Sequence, residues 1–98
     1  MFNHDYVVFT GTLRTMTRKQ AKLIVEGLGG TNQSSVTKQT TILVKGYFTM
    51  DLIMGDRLSK KVLDTQQAVA SGQPIIVMEE KEFLDYLSQY FQSLSTGL

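Results

Sequence analysis

Tyr6-Val7-Val8-Phe9-Thr10-Gly11-Thr12-Leu13-Arg14-Thr15-Met16-Thr17-Arg18-Lys19-Gln20 reads as a buried strand, a turn, a short loop and a helix start. The apolar run Tyr6–Phe9 suits a strand covered on both faces. Thr17 is a good N-cap, and Gln20 stands where a capping box needs it: the Thr oxygen accepts from one free N–H, and the Gln side chain reaches back to another. Arg18 and Lys19 then fall in a first helical turn. The helix dipole places partial positive charge there, so cations sit at the disfavoured end. Something anionic belongs in front of them.

The same alternation continues. Helix one is expected over Thr17–Leu28, with Ala21, Ile24, Val25 and Leu28 as one buried stripe. Gly27, Gly29 and Gly30 end it. A short strand near Thr31–Val36 and an apolar strand at Thr41–Val44 follow. Helix two is expected to start with Ser59 as N-cap and to bury Val62, Leu63, Gln66, Val69 and Ala70. Gly72 and Pro74 stop it before a strand at Ile75–Val77. Helix three opens with Glu79, Glu80 and Glu82, the charge the dipole favours, and carries the stripe Phe83, Leu84, Leu87, Tyr90, Phe91 and Leu94. The order β-α-β-β-α-β-α predicts an α/β fold: a mostly parallel sheet flanked by helices. The expectation is one domain over residues 1–98, with a core at about 6–94 and a frayed tail at 95–98.

Composition narrows the function. The chain has 98 residues, no cysteine and one histidine, so neither a disulfide frame nor a thiolate metal site is available. The N-terminal residues lack an apolar signal region, and no apolar run reaches membrane-spanning length, which points to a cytoplasmic setting away from any membrane. Net charge is only +1, but residues 1–61 hold nine Lys or Arg against four acids, and residues 62–98 one Lys against five acids. Such an asymmetry permits a basic face that attracts phosphates; the plainer alternative is a mixed solvated surface.

No enzyme motif is present. Gly27-Leu28-Gly29-Gly30 follows a helix rather than a strand, so it is a turn and not a dinucleotide fingerprint. His4 lies in a loose N-terminal stretch, far from any paired carboxylate. Thr10 and the serines lack a base partner, and Glu79, Glu80 and Glu82 are explained by helix capping. The expectation is a non-enzymatic chain with no catalytic residue, cofactor or metal. Helices one and two both start at the carboxyl edge of a parallel sheet, where α/β folds place ligands. Thr10, Gly11, Arg18, Lys60 and Lys61 are therefore candidates for one phosphate site, with a hydroxyl, a backbone N–H and charge-assisted donors. Two unrelated lysine-rich surface turns are the alternative.

The ordered set Val8-Phe-Thr-Gly-Thr-Leu13, Thr17-Arg-Lys-Gln-Ala21, Leu28-Gly-Gly-Thr31, Ser35–Val44 with Gly46, Ser59-Lys-Lys61 and Gln73–Leu84 resembles a BRCT domain. It is most similar to the single bacterial modules of NAD-dependent DNA ligases and of exonuclease-type replication proteins. The resemblance implies a four-stranded parallel sheet, with two helices on one face and one on the other, and a binding module of DNA replication or repair. In phosphate-binding members, the end of strand one supplies a hydroxyl and the next Gly N–H, which match Thr10 and Gly11. The start of helix two supplies a Lys, which matches Lys61, or Lys60 with a slip of one. The clamp-loader module that recognises a 5′-phosphate also uses an Arg in helix one, at the position of Arg18. Arg14, Lys19 and Lys22 would give electrostatic support.

The chain departs from the family at two places. Phe83 stands where the third helix usually carries Trp, and the segment 47–58 is longer and more apolar than the usual connection. The expected ligand is DNA with a 5′-phosphorylated end. The alternative is a protein-docking module that tethers a replication or repair enzyme, with a phosphoprotein, a BRCT-type partner or a second copy of the chain as partner, using 47–58, including Phe48 and Leu52, as the apolar surface. Only one copy of the fold fits here, so the groove formed by paired modules for phosphopeptides is not expected.

Overall fold

Four short strands form one parallel sheet. A computed structural model describes residues 1–47 and 56–98, for 56–59 the backbone alone. In chain order the elements are β1 (Tyr6–Thr10), α1 (Arg18–Gly27), β2 (Thr31–Gln33), β3 (Ile42–Lys45), α2 (Asp56–Ala70), β4 (Ile76–Glu79) and α3 (Glu80–Thr96). The strand order is β2-β1-β3-β4, with every pairing parallel. Helices joining parallel neighbours have to cross the sheet faces, which is why the two central strands, β1 and β3, are covered and near-continuously apolar. Val7, Val8, Phe9, Ile42, Leu43 and Val44 are all buried.

Alternation along the strands assigns the faces. Val7, Phe9, Ile42, Val44 and Met78 pack in one core with Ala21 and Val25 of α1 and with Phe83 and Leu87 of α3. Val8 and Leu43 point to the other face, where α2 lies against β1. Phe83 meets Phe9 edge-on at 5.8 Å and Phe2 in a stack at 6.4 Å between ring centroids. Phe2 is fully buried in this core, although it precedes the expected start at residue 6. Nor is the N-terminal stretch loose: the Phe2 N–H donates to the Leu28 carbonyl at 2.9 Å, and the Thr41 hydroxyl donates to the Asp5 carboxylate at 2.8 Å. His4 makes the turn at φ 68°, a conformation that His adopts more readily than most residues.

Helix α1 starts as read from the sequence. The Thr17 oxygen accepts from the Gln20 N–H, and the Gln20 side chain accepts from the Thr17 N–H. Helix α2 does not. It begins at Asp56, an acid at the dipole-favoured end, so Ser59 is not its N-cap and Lys60 and Lys61 stand a turn inside. Its buried stripe also differs. Thr65 is buried and Lys61 and Ala68 partly so, whereas Leu63 is 53% and Val69 48% exposed. Polar residues face the sheet here because they are satisfied there: the Thr65 hydroxyl donates to the Lys61 carbonyl at 2.9 Å, and Lys61 itself reaches β1. In α3 the stripe is buried only at Phe83 and Leu87, while Phe91 and Leu94 are about half exposed because the sheet ends before the helix does. The strand of 31–36 closes at Gln33, and the strand expected at 75–77 runs over Ile76–Glu79 instead. Of the segment 47–58, residues 48–55, with Phe48 and Leu52, lie outside the described residues.

Candidate functional site

The carboxyl end of β1 is where chain, charge and unsatisfied polarity meet. Thr10 is the last strand residue and is 1% exposed, and its hydroxyl oxygen has no hydrogen-bond partner among the described residues. A buried polar atom without a partner costs about 1–3 kcal/mol, so its retention needs a reason. Gly11 follows at φ 78°, the left-handed region where a Cβ is strained. That turn leads the chain out of the sheet into the loop before α1.

Two cations converge on this corner from two helices on opposite faces. The Arg18 guanidinium donates to the Gly11 carbonyl. The Lys61 ammonium donates to the Phe9 carbonyl at 2.9 Å. These bonds bracket Thr10 from either side in sequence. Burial depresses the Lys61 pKa, and the nearby Arg18 and Lys22 charges depress it further. Repulsion among three cations and partial desolvation raise the local potential, and a bound anion would lower it. Each of the two donors keeps further N–H groups beyond the one it uses, since Arg carries five and Lys three.

The other candidates are distributed differently. Lys19 and Lys22 border an open groove with Arg18, Leu23 and Glu26 along α1. Lys60 is exposed, next to Lys61 but roughly 100° round the helix. Arg14 packs on Tyr47, with its guanidinium 4.6 Å from the centre of the ring. So Thr10, Gly11, Arg18 and Lys61 are brought together, Lys22 is near enough to Lys61 to lower its pKa, and Arg14 and Lys60 are not part of this corner. Among the described residues, no cluster of His, Cys, Asp or Glu could hold a metal ion, and no helix is long and apolar enough to cross a membrane.

The loop that carries Gly11 is pinned at both sides. Thr12 and Tyr47 exchange backbone hydrogen bonds at 2.9 and 3.0 Å. Gly46 lies so close beneath Thr12 that a Cβ there would overlap the Thr12 backbone. On the far side, the Glu80 carboxylate accepts from the Arg14 N–H at 2.7 Å, the Thr15 N–H at 2.9 Å and the Thr15 hydroxyl at 2.7 Å. Burial alone would raise the Glu80 pKa, but the bonds from Arg14 and Thr15, with the Arg14 charge, outweigh it and hold the carboxyl below its usual range. By its place at the helix start, Glu80 reads in the sequence as a capping acid. Glu79 and Glu82 form the capping box, and Glu80 instead clamps the loop. The only signal was an extra acid at the helix start, and its partner lies far away in the chain.

The family model of the "BRCA1 C Terminus (BRCT) domain" matches residues 2–71. A DNA ligase of Desulforapulum autotrophicum is 36% identical over 88 residues, covering 90% of this chain and 11% of the ligase. A DNA ligase of Syntrophus aciditrophicus is 42% identical over 77 residues, 79% of this chain and 9% of the ligase. For a DNA ligase of Listeria monocytogenes the values are 32% over 87 residues, 89% and 11%. The chain thus spans about a tenth of the length of these curated relatives.

Proposed function

The chain belongs to the BRCT domain family, and from that premise we propose that it is a non-enzymatic binding module of DNA replication or repair that holds a 5′-phosphorylated DNA end. The observation that carries this reading is the partnerless, buried Thr10 hydroxyl at the corner bracketed by Arg18 and Lys61. A phosphate oxygen accepts from that hydroxyl. Arg18 and Lys61 leave the backbone carbonyls of Gly11 and Phe9 and close on the remaining oxygens. Nothing about the ligand is covalently changed, so positioning and charge are all the site has to supply. Lys22 and Lys19 extend the positive surface along α1, where the duplex backbone continues.

The test is a binding titration of one duplex with and without a 5′-phosphate, at two salt concentrations. The phosphorylated duplex is expected to bind more tightly at both. A charged hydrogen bond is worth about 1.5–3 kcal/mol, so Arg18→Ala or Lys61→Ala should weaken that binding roughly tenfold or more. Lys19→Ala should act mainly through the salt dependence. Equal binding of the two duplexes, at low salt only, would leave a generic electrostatic surface and remove the phosphate pocket.

A further inference from the structure

Beside the phosphate corner, on the β3 and β4 side, lies a cleft of about 400 Å³ that takes no part in holding the phosphate. Its volume falls within the range of small-ligand clefts, roughly 300–1,000 Å³. Arg14, Tyr47, Gly46, Lys45, Glu79 and Leu84 are among the residues that line it. We infer that this cleft receives an unpaired nucleobase of the strand whose 5′-phosphate sits at Thr10, stacked against the Arg14–Tyr47 pair; this rests on the phosphate reading.

The chemistry is that of base stacking. An aromatic ring and a guanidinium both offer flat surfaces, and every base has a π-face to lay on one of them. Tyr47 is 39% exposed, so its ring is not spent in the core. Leu84 adds apolar surface, and Glu79 supplies a carboxylate that accepts from exocyclic amino groups. The position fits the same strand: the Gly46 N–H donates to the Thr10 carbonyl at 2.8 Å, so cleft and phosphate corner share one backbone contact. The wall is also set in advance. The Thr12–Tyr47 bridge fixes one side and Glu80 fixes the backbone of Arg14, so little ordering remains to be done on binding.

Four duplexes decide it: blunt or with one unpaired 5′-terminal 2-aminopurine, each with and without the 5′-phosphate. With the intact chain, the overhang should add about fivefold or more to affinity, and 2-aminopurine fluorescence should be quenched. Tyr47→Leu should abolish both effects and keep the preference for phosphate, whereas Tyr47→Phe should keep all three. Arg14→Ala, at an exposed side chain, should reduce the quenching if Tyr47→Leu does not fold. Equal affinity for overhang and blunt ends, or quenching unchanged in Tyr47→Leu and Arg14→Ala, overturns the cleft assignment while leaving the phosphate site standing. Equal affinity with and without phosphate overturns the phosphate site instead, and no binding to any duplex overturns both.

Discussion

Lys61, the proposed hydrogen-bond donor to the phosphate, is held in the fold at some cost to its charged form. Its charged form is disfavoured by burial and by Arg18 and Lys22, so its folded pKa lies below the value it has when unfolded. Between those two values the unfolded chain binds more protons, and stability therefore rises with pH. The free protein should gain stability as pH climbs through the folded pKa of Lys61 toward 10.5, its ordinary value. Lys61→Met should flatten that alkaline rise in chemical denaturation while losing affinity for the phosphorylated duplex. A parallel rise in wild type and variant would mean that another group is responsible.

Thr10 is the complementary case. Its identity was legible in the sequence as a hydroxyl at the end of an apolar strand, and so was Gly11. That the hydroxyl is partnerless was not, because satisfaction depends on what the fold brings near. Glu80 is legible as an acid, but its bonds to Arg14 and Thr15 are not, for the same reason.

At the scale of elements, the strands and α1 were readable because their patterns are local. Continuous apolar runs, a capping box and a glycine stop need no knowledge of the rest of the chain. Helix α2 was misread because its inward face is partly polar: Lys61 and Thr65 turn to the sheet while Leu63 and Val69 stay outside. Hydrophobic periodicity cannot identify a face whose contacts are hydrogen bonds. The junction of β4 and α3 carries its own prediction. The Glu80 clamp contributes stability only while the carboxylate is ionised. Its folded pKa is depressed, so the contribution is present above the unfolded pKa and is lost as pH falls through the folded one. Glu80→Gln should lower the denaturation midpoint at neutral pH, and the gap to wild type should close in strong acid. A gap that persists there would show that charge is not what the loop requires.

For the whole molecule, the core is closed by aromatics drawn from both ends of the chain. Phe2 stacks on Phe83, Phe9 meets Phe83 edge-on, and Tyr86 packs edge-on to Phe2 at 5.7 Å. Phe2→Ala should therefore cost about 3–5 kcal/mol of stability in equilibrium unfolding, as for a large buried side chain. Removing residues 1–5 should do at least as much harm. A loss of well under 1 kcal/mol would mean that the core closes without the N-terminal stretch. This was the least legible part of the fold, since one Phe among polar neighbours has no period to betray it.

The two borders of the sheet are unlike. β2 ends it with Thr31, Asn32 and Gln33, and Asn32 is held by bonds to the Lys22 carbonyl and the Glu26 carboxylate. β4 ends the described strands with Ile76 58% and Val77 46% exposed. An apolar strand at a border is a template for adding another strand. Here the template is single-sided: if two molecules were to join along β4, both outward borders would be the polar β2. Growth by that route has a valency of one, and it terminates at a pair rather than running on into a fibre.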